Sequence, residues 1–315
     1  MKKEEILKEP VEDMEIDFDV DKLVRKLGNS GGFMAKNLSL AADILEEMIK
    51  EKSCTKFLSF PACIVATGCR GILKEVVKRK FFDIVITTCG TLDHDLARSF
   101  KKYYHGSFLA DDSELKELGI CRLGNVFVPN ESYGIIIEEK MKEFLEKLYS
   151  EGVREISTHE LAWELGKFIN NDSSILYWCY KNKIPVIIPG ITDGAVGYQI
   201  WQFSQMREMR IDVLKDESLL SEVVWNSKKS GALIIGGGIS KHHVIWWNQF
   251  KDGLDFVVYL TTAVEWDGSL SGAHPREAIS WGKVKKGARQ TVVYGDVTIN
   301  LPILISSLVK RIEGK

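Results

Sequence analysis

The sequence predicts an α/β protein of Rossmann-like, doubly wound type, with a mostly parallel sheet and helices on both faces. Three observations lead there. Short apolar runs alternate with segments of helical periodicity from about residue 31 onward. The run Asp83–Thr88 is apolar at consecutive positions, as in a strand buried on both faces. Small, polar and acidic residues gather just after these runs, where ligands bind in such sheets.

Residues 1–30 are polar and acidic, with Pro10 and the run Glu12–Asp21, and read as an arm with a short helix near Asp21–Lys26. The Gly31-Gly32 turn opens a single body, residues 31–315. Asn37–Lys52 carries apolar residues at helical spacing. Lys56–Phe60 reads as a strand and Ala62–Lys78 as a helix. Asp83–Thr88 is the next strand and Leu92–Tyr103 the next helix. Ser157-Thr-His-Glu160 matches a capping box and starts a helix to about Ile169. Strands are expected at Pro185–Ile188, Ala232–Ile235, Asp255–Thr261 and Thr291–Tyr294. Helices are expected at Ser240–Phe250 and Ile299–Arg311.

Composition sets limits on function. The 315 residues are 45% apolar and 27% charged, with a net charge of −2, so no global field attracts nucleic acid or an anionic membrane. The six cysteines form no CxxC pair, and no Cys/His cluster has zinc spacing, so no metal site is expected. Several lie in apolar runs as small hydrophobes, which suits reduced thiols and a cytoplasmic setting. The opening Met-Lys-Lys-Glu-Glu lacks the apolar core of a secretory leader. No apolar run reaches the length of a membrane span.

The strand ends form a candidate nucleotide rim. Ile84–Thr88 runs into Cys89-Gly90, and Val186–Ile188 leads to Gly190-Ile-Thr-Asp-Gly194. Leu233–Ile235 ends in Gly236-Gly-Gly238, Val257–Leu260 in Thr261-Thr-Ala263, and Val292–Tyr294 in Gly295-Asp296. Glycines at a helix start let a pyrophosphate approach backbone N–H groups. The spacing departs from GxGxxG, because Lys241 stands where the third glycine would fall, and a plain tight turn fits as well. Asp193 and Asp296 suit ribose hydroxyls, and equally suit N-caps.

Glu277-Ala-Ile-Ser-Trp-Gly-Lys283 is the segment richest in chemistry. Glu277 and Trp281 are four apart, on one helical face. A carboxylate beside an indole holds a polyamine by ion pairing and cation–π attraction. A lysine in such company can be partly desolvated, and a neutral amine attacks imine or carbonyl carbons. A solvated lysine after a buried tryptophan is the plainer alternative. His242 and His243 point about 100° apart on a helix, so one at most faces a site.

Taken in order, Ile86-Thr-Thr-Cys-Gly90, Arg122-Leu-Gly-Asn-Val126, Val128-Pro-Asn130, Thr192-Asp-Gly194, Gly236-Gly-Gly238, Lys241-His-His243, Asp267-Gly-Ser269, Ser271-Gly272 and Glu277–Lys283 resemble deoxyhypusine synthase in its archaeal form. The likeness runs from about Gly31 to the C-terminus. It implies NAD-dependent transfer of the butylamine group of spermidine to one lysine of the precursor of translation initiation factor 5A. By resemblance, NAD lies on Thr88, Cys89, Gly90, Asp193, Gly237, Thr262, Ala263 and Asp296, with the segment Ala62–Ala66 nearby. The amine falls to His242, Glu277 and Trp281, with Asp93, His94 and Ser269 around it. Lys283 is the implied nucleophile, and a homotetramer sharing NAD sites between subunits is the implied assembly.

The departures concern the amine. Eukaryotic members hold spermidine with two further aspartates, whose positions here are Tyr198 and Leu270. A glutamate becomes His94, an asparagine becomes Trp246, and a Ser-Asn pair becomes Ala62-Cys63. These leave open a homospermidine synthase-like enzyme or an agmatine-using one. A non-catalytic regulatory paralogue is a further alternative, against which the retained Lys283, Glu277, Trp281 and His242 weigh.

Overall fold

The structure, a computed structural model, describes residues 10–314; the first nine residues of the expected arm lie outside the described residues. Six strands build the central sheet: β1 Cys54–Ser59, β2 Ile84–Ile86, β3 Val186–Ile187, β4 Lys229–Ile235, β5 Leu254–Thr261 and β6 Val284–Tyr294. Their order is β6-β5-β4-β1-β2-β3, and every pair is parallel. This is the doubly wound arrangement the sequence predicts, and its order reverses between β1 and β4.

Strand alternation supplies two cores. Leu58, Val85, Leu233, Val258 and Val293 face one helical layer, which includes Phe33–Lys50 and Val297–Glu313. Phe57, Ile84, Ala232, Ile234, Val257 and Tyr259 face the other, against Leu220, Val224, Val244 and Ile245. With both faces covered, the middle of these strands, residues 57–58, 84–86, 232–235 and 256–260, carries apolar or aromatic side chains, and polar ones stand at the strand ends. Among the described residues, no helix is long and apolar enough to cross a membrane.

Three expectations change. The helix expected over Ala62–Lys78 is a short 3-10 turn, Ala62–Ile64, then a helix Cys69–Lys78. Arg98 Nη1 takes the carbonyls of Val65 and Thr67 at 2.6 and 2.5 Å, and so satisfies the backbone where the helix is interrupted. The last strand begins at Val284 rather than Thr291. Its added half reads Lys285-Lys-Gly-Ala-Arg289, polar because β6 is an edge strand. The helix of the expected arm, Val20–Ser30, is docked: Val24 is fully buried in the core, and Asp21 accepts from Ser307 Oγ at 2.8 Å and from Arg311.

Arg122–Asn130 is a hairpin. Ile120–Leu123 pairs with Val126–Pro129 across Gly124-Asn125, and Gly124 has φ +61°. The expected capping box of Ser157 and Glu160 is present.

Candidate active site

One cavity opens at the carboxyl edge of the sheet and a second lies over one of its faces. The first, about 300 Å³, lies at the reversal between β1 and β4 and extends over β5. Its walls include Cys63, Gly236, Thr262, Ala263, Ser269 and Ser271. Gly236 and Gly238 have φ of +66° and +67°, and helix Gly238–Asn248 starts directly after Gly237. A Cβ on Gly237 would collide with the backbone of Ser271. Gly237 thus lets Ser271 pack closely against the helix start, and N–H groups at such a start favour an anion.

The other expected rim residues, Thr88, Cys89, Gly90, Asp193 and Asp296, are not among the walls of this cavity. Thr88 Oγ1 accepts from Ala62 N at 3.2 Å and ties the end of β2 to the turn after β1. A Cβ on Gly90 would lie 2.8 Å from Ala62 Cβ, so the absence of a side chain sets that spacing. Cys89 is fully buried, and burial pushes its thiol far up, so it packs rather than reacts. Asp193 is exposed after β3. Asp296 caps helix Val297–Glu313, accepting from Thr298 N at 2.8 Å.

The second cavity, about 210 Å³, lies between helix Gly238–Asn248, β5 and helix Pro275–Ser280. Glu277, Trp281 and Lys283 line it, and Leu270 forms part of its wall. Lys283 Nζ sits 5.4 Å from the centre of the Trp281 ring. Gly282, at φ +67°, turns the chain so that Lys283 immediately precedes β6. His242 borders this group: burial and then the charge of Lys283 lower its pKa, which keeps the imidazole neutral at pH 7. Its ring stacks on Trp246 at 5.7 Å. His243 turns the other way, with Nε2 3.0 Å from Glu217.

Three expected amine ligands, Asp93, His94 and Ser269, are not among the walls of this cavity. The carboxylate of Asp93 is 1% exposed and accepts from Ala195 N, Val196 N and Tyr133 Oη at 2.7–2.9 Å. It holds the start of helix Ala195–Ser204. His94 Nδ1 lies 2.9 Å from Tyr103 Oη, and burial drives its pKa down to about 4. Ser269 lines the first cavity rather than the second. Tyr198, 54% exposed, packs on Trp201.

Sequence reasoning missed Lys241, Tyr259 and His274 as walls of the amine cavity. A signal for Lys241 existed: it falls at helical spacing from Val244 and Ile245, both apolar and buried. A larger cavity, about 850 Å³, lies elsewhere, between residues 16–20 and the helices bearing Ile72 and Ile305, and none of the motif residues lines it.

A family model for deoxyhypusine synthase matches residues 22–308. Probable deoxyhypusine synthases of Picrophilus torridus and Thermoplasma volcanium are 55% and 54% identical to this chain, covering 98% and 97% of it and 100% and 99% of their own lengths. That of Sulfolobus acidocaldarius is 50% identical over 98% of this chain and 100% of its own. A solved putative deoxyhypusine synthase from Entamoeba histolytica shares the fold, with a TM-score of 0.63 at 19% identity over 92% of each chain.

Proposed function

The chain belongs to the deoxyhypusine synthase family and is an enzyme of that family, and from that premise we propose that it moves the 4-aminobutyl group of spermidine to one lysine of the translation initiation factor 5A precursor. NAD is the proposed cofactor. The helix start at Gly236–Gly238, with Thr262, Ala263, Asp193 and Asp296, would hold it; when bound it supplies removal and return of a hydride. Gly236, a wall of the first cavity with φ +66°, supports this placement, because its left-handed turn brings the start of the helix to the cavity.

The observation that carries the reading is Lys283 on one wall with Glu277 and Trp281. Glu277 attracts an ammonium, and Trp281 offers its ring face. His242, held neutral, takes the proton from the reacting nitrogen. Lys283 then adds to the imine carbon, diaminopropane departs, and the lysine of the factor precursor displaces Lys283 in turn. Water must stay out, because a free imine hydrolyses. We place the reaction in the cytoplasm and in a homotetramer.

The test is a mass spectrum of the factor precursor after incubation with NAD and spermidine. One added aminobutyl group is expected, with borohydride trapping on Lys283. Lys283→Arg should keep the fold and NAD binding and abolish transfer, because arginine stays protonated. Substantial transfer by that variant would sink the assignment. Leu270 in the cavity wall favours a second reading, in which the donor is another amine such as agmatine or the product is homospermidine. Product analysis with each amine, with and without the precursor, separates the two.

A further inference from the structure

Lys241 is the part of the amine cavity that the proposed reaction leaves unused. Its side chain is 1% exposed. Buried lysines are normally paired with a carboxylate. Here Nζ instead donates to the carbonyl of Ala273 at 2.9 Å and lies 4.0 Å from the centre of the Tyr259 ring. The Tyr259 hydroxyl is itself buried without a hydrogen-bond partner among the described residues. Burial pushes the Lys241 amine down to about 8, against the pull of Glu277. Tyr259 on β5 and His274 and Glu277 at helix Pro275–Ser280 neighbour it, Lys283 before β6 lines the same cavity, and His242 is next to it in the chain.

A cavity that receives a cationic amine is a poor place for a fixed positive charge. A lysine that gives up its proton readily is a different matter, because imine exchange needs a proton moved between two nitrogens on one carbon. Resting on aminobutyl transfer through Lys283, the geometry points to Lys241 as the proton carrier of that exchange. Lys283 Nζ adds its electron pair to the carbon of the protonated imine and is left with a positive charge and a surplus proton. Neutral Lys241 removes that proton and donates one to the other nitrogen on the same carbon. The C–N bond to that nitrogen breaks, and its electron pair leaves with the neutral amine. The new imine on Lys283 is protonated as the old one was, and Lys241 ends as it began. The same relay serves the second exchange, onto the acceptor lysine.

Two variants of the full chain test this with NAD and spermidine. Lys241→Met keeps the length and removes the nitrogen; Lys241→Arg keeps the charge and cannot release it. The readouts are NAD affinity by titration and the rate of borohydride-trapped adduct at Lys283 across pH. Both variants should bind NAD within about twofold of wild type and form adduct about a hundredfold more slowly. The wild-type rate should show an inflection near pH 8, absent in Lys241→Met. Wild-type rates in Lys241→Met, or an inflection that survives the substitution, would overturn the proposal. Loss of NAD binding together with trapping would make Lys241 a structural support and overturn it as well. Absence of any Lys283 adduct in the wild type would instead sink the transfer reading, and this one with it.

Discussion

Leu270 and Asp296 are single residues whose chemistry can be checked directly. Leu270 lines the amine cavity and cannot ion-pair. A charge-assisted contact contributes roughly 1.5–3 kcal/mol, so a lost aspartate weakens amine binding by about tenfold or more unless something replaces it. Leu270→Asp should therefore lower KM for spermidine if spermidine is the donor. Unchanged or worse spermidine kinetics, with another amine working well in the wild type, would mean the pocket has been rebuilt for that amine. Asp296→Asn is the companion test at the other cavity. Asparagine caps helices as well as aspartate does, so the helix Val297–Glu313 should survive. NAD affinity should fall while amine affinity holds, and unchanged NAD titration would show the ribose site to be elsewhere. Asp93 teaches the opposite lesson. In sequence it looks like one more acidic anchor, yet its carboxylate is consumed by two backbone N–H groups and a tyrosine.

Helices are held at their starts by buried carboxylates, and this governs stability more than site chemistry. Asp95 is fully buried and accepts from Arg70 Nε at 2.7 Å, Ser174 Oγ at 2.6 Å, and the backbone of Ile175 and Leu176 at 3.1 and 2.9 Å. It joins helix Cys89–Phe100 to Cys69–Lys78 and Ile175–Asn182. Asp95→Ala strands the Arg70 guanidinium and should cost about 3–5 kcal/mol. Urea denaturation should show a lower midpoint at constant slope; a loss below about 1 kcal/mol would mean that Ser99 and Ser173 satisfy Arg70 alone. None of this network was legible in the sequence, because its partners are 25 to 81 positions apart. The central strands were legible because burial on both faces keeps their middle stretches apolar or aromatic. β6 was half hidden because an edge strand faces solvent, and Lys285 there pairs with Asp255 at 2.9 Å. The cluster Glu277, Trp281 and Lys283 was legible because it is local. Lys241 shares the helical spacing of Val244 and Ile245, but what it touches, Tyr259 on β5 and the Ala273 carbonyl, is distant in sequence.

The surface around the amine cavity describes what the whole molecule needs. Trp281 is 67% exposed and Trp246 41%. Trp246 stacks on His242 and meets Phe250 at 5.5 Å, which is itself 44% exposed. Large aromatic side chains left bare beside a site mark an interaction surface. Imine chemistry gives that surface a purpose, since a cavity open to solvent would lose its intermediate to water. A second copy of the chain is the proposed cover, and it should bring the mass in sedimentation to a multiple of 35.6 kDa. Trp246→Glu places a charge in the patch and removes the ring stacked on His242, while leaving Lys283, Glu277 and the Gly236–Gly238 turn in place. It should shift the protein toward monomer and reduce transfer by more than about tenfold, with recovery at higher protein concentration through mass action. NAD affinity should fall in parallel if the cofactor site is shared between subunits, and hold if it is not. A wild type that sediments as a monomer and turns over fully at the same concentration would remove the need for a cover. Water exclusion would then have to come from a movement of this chain alone.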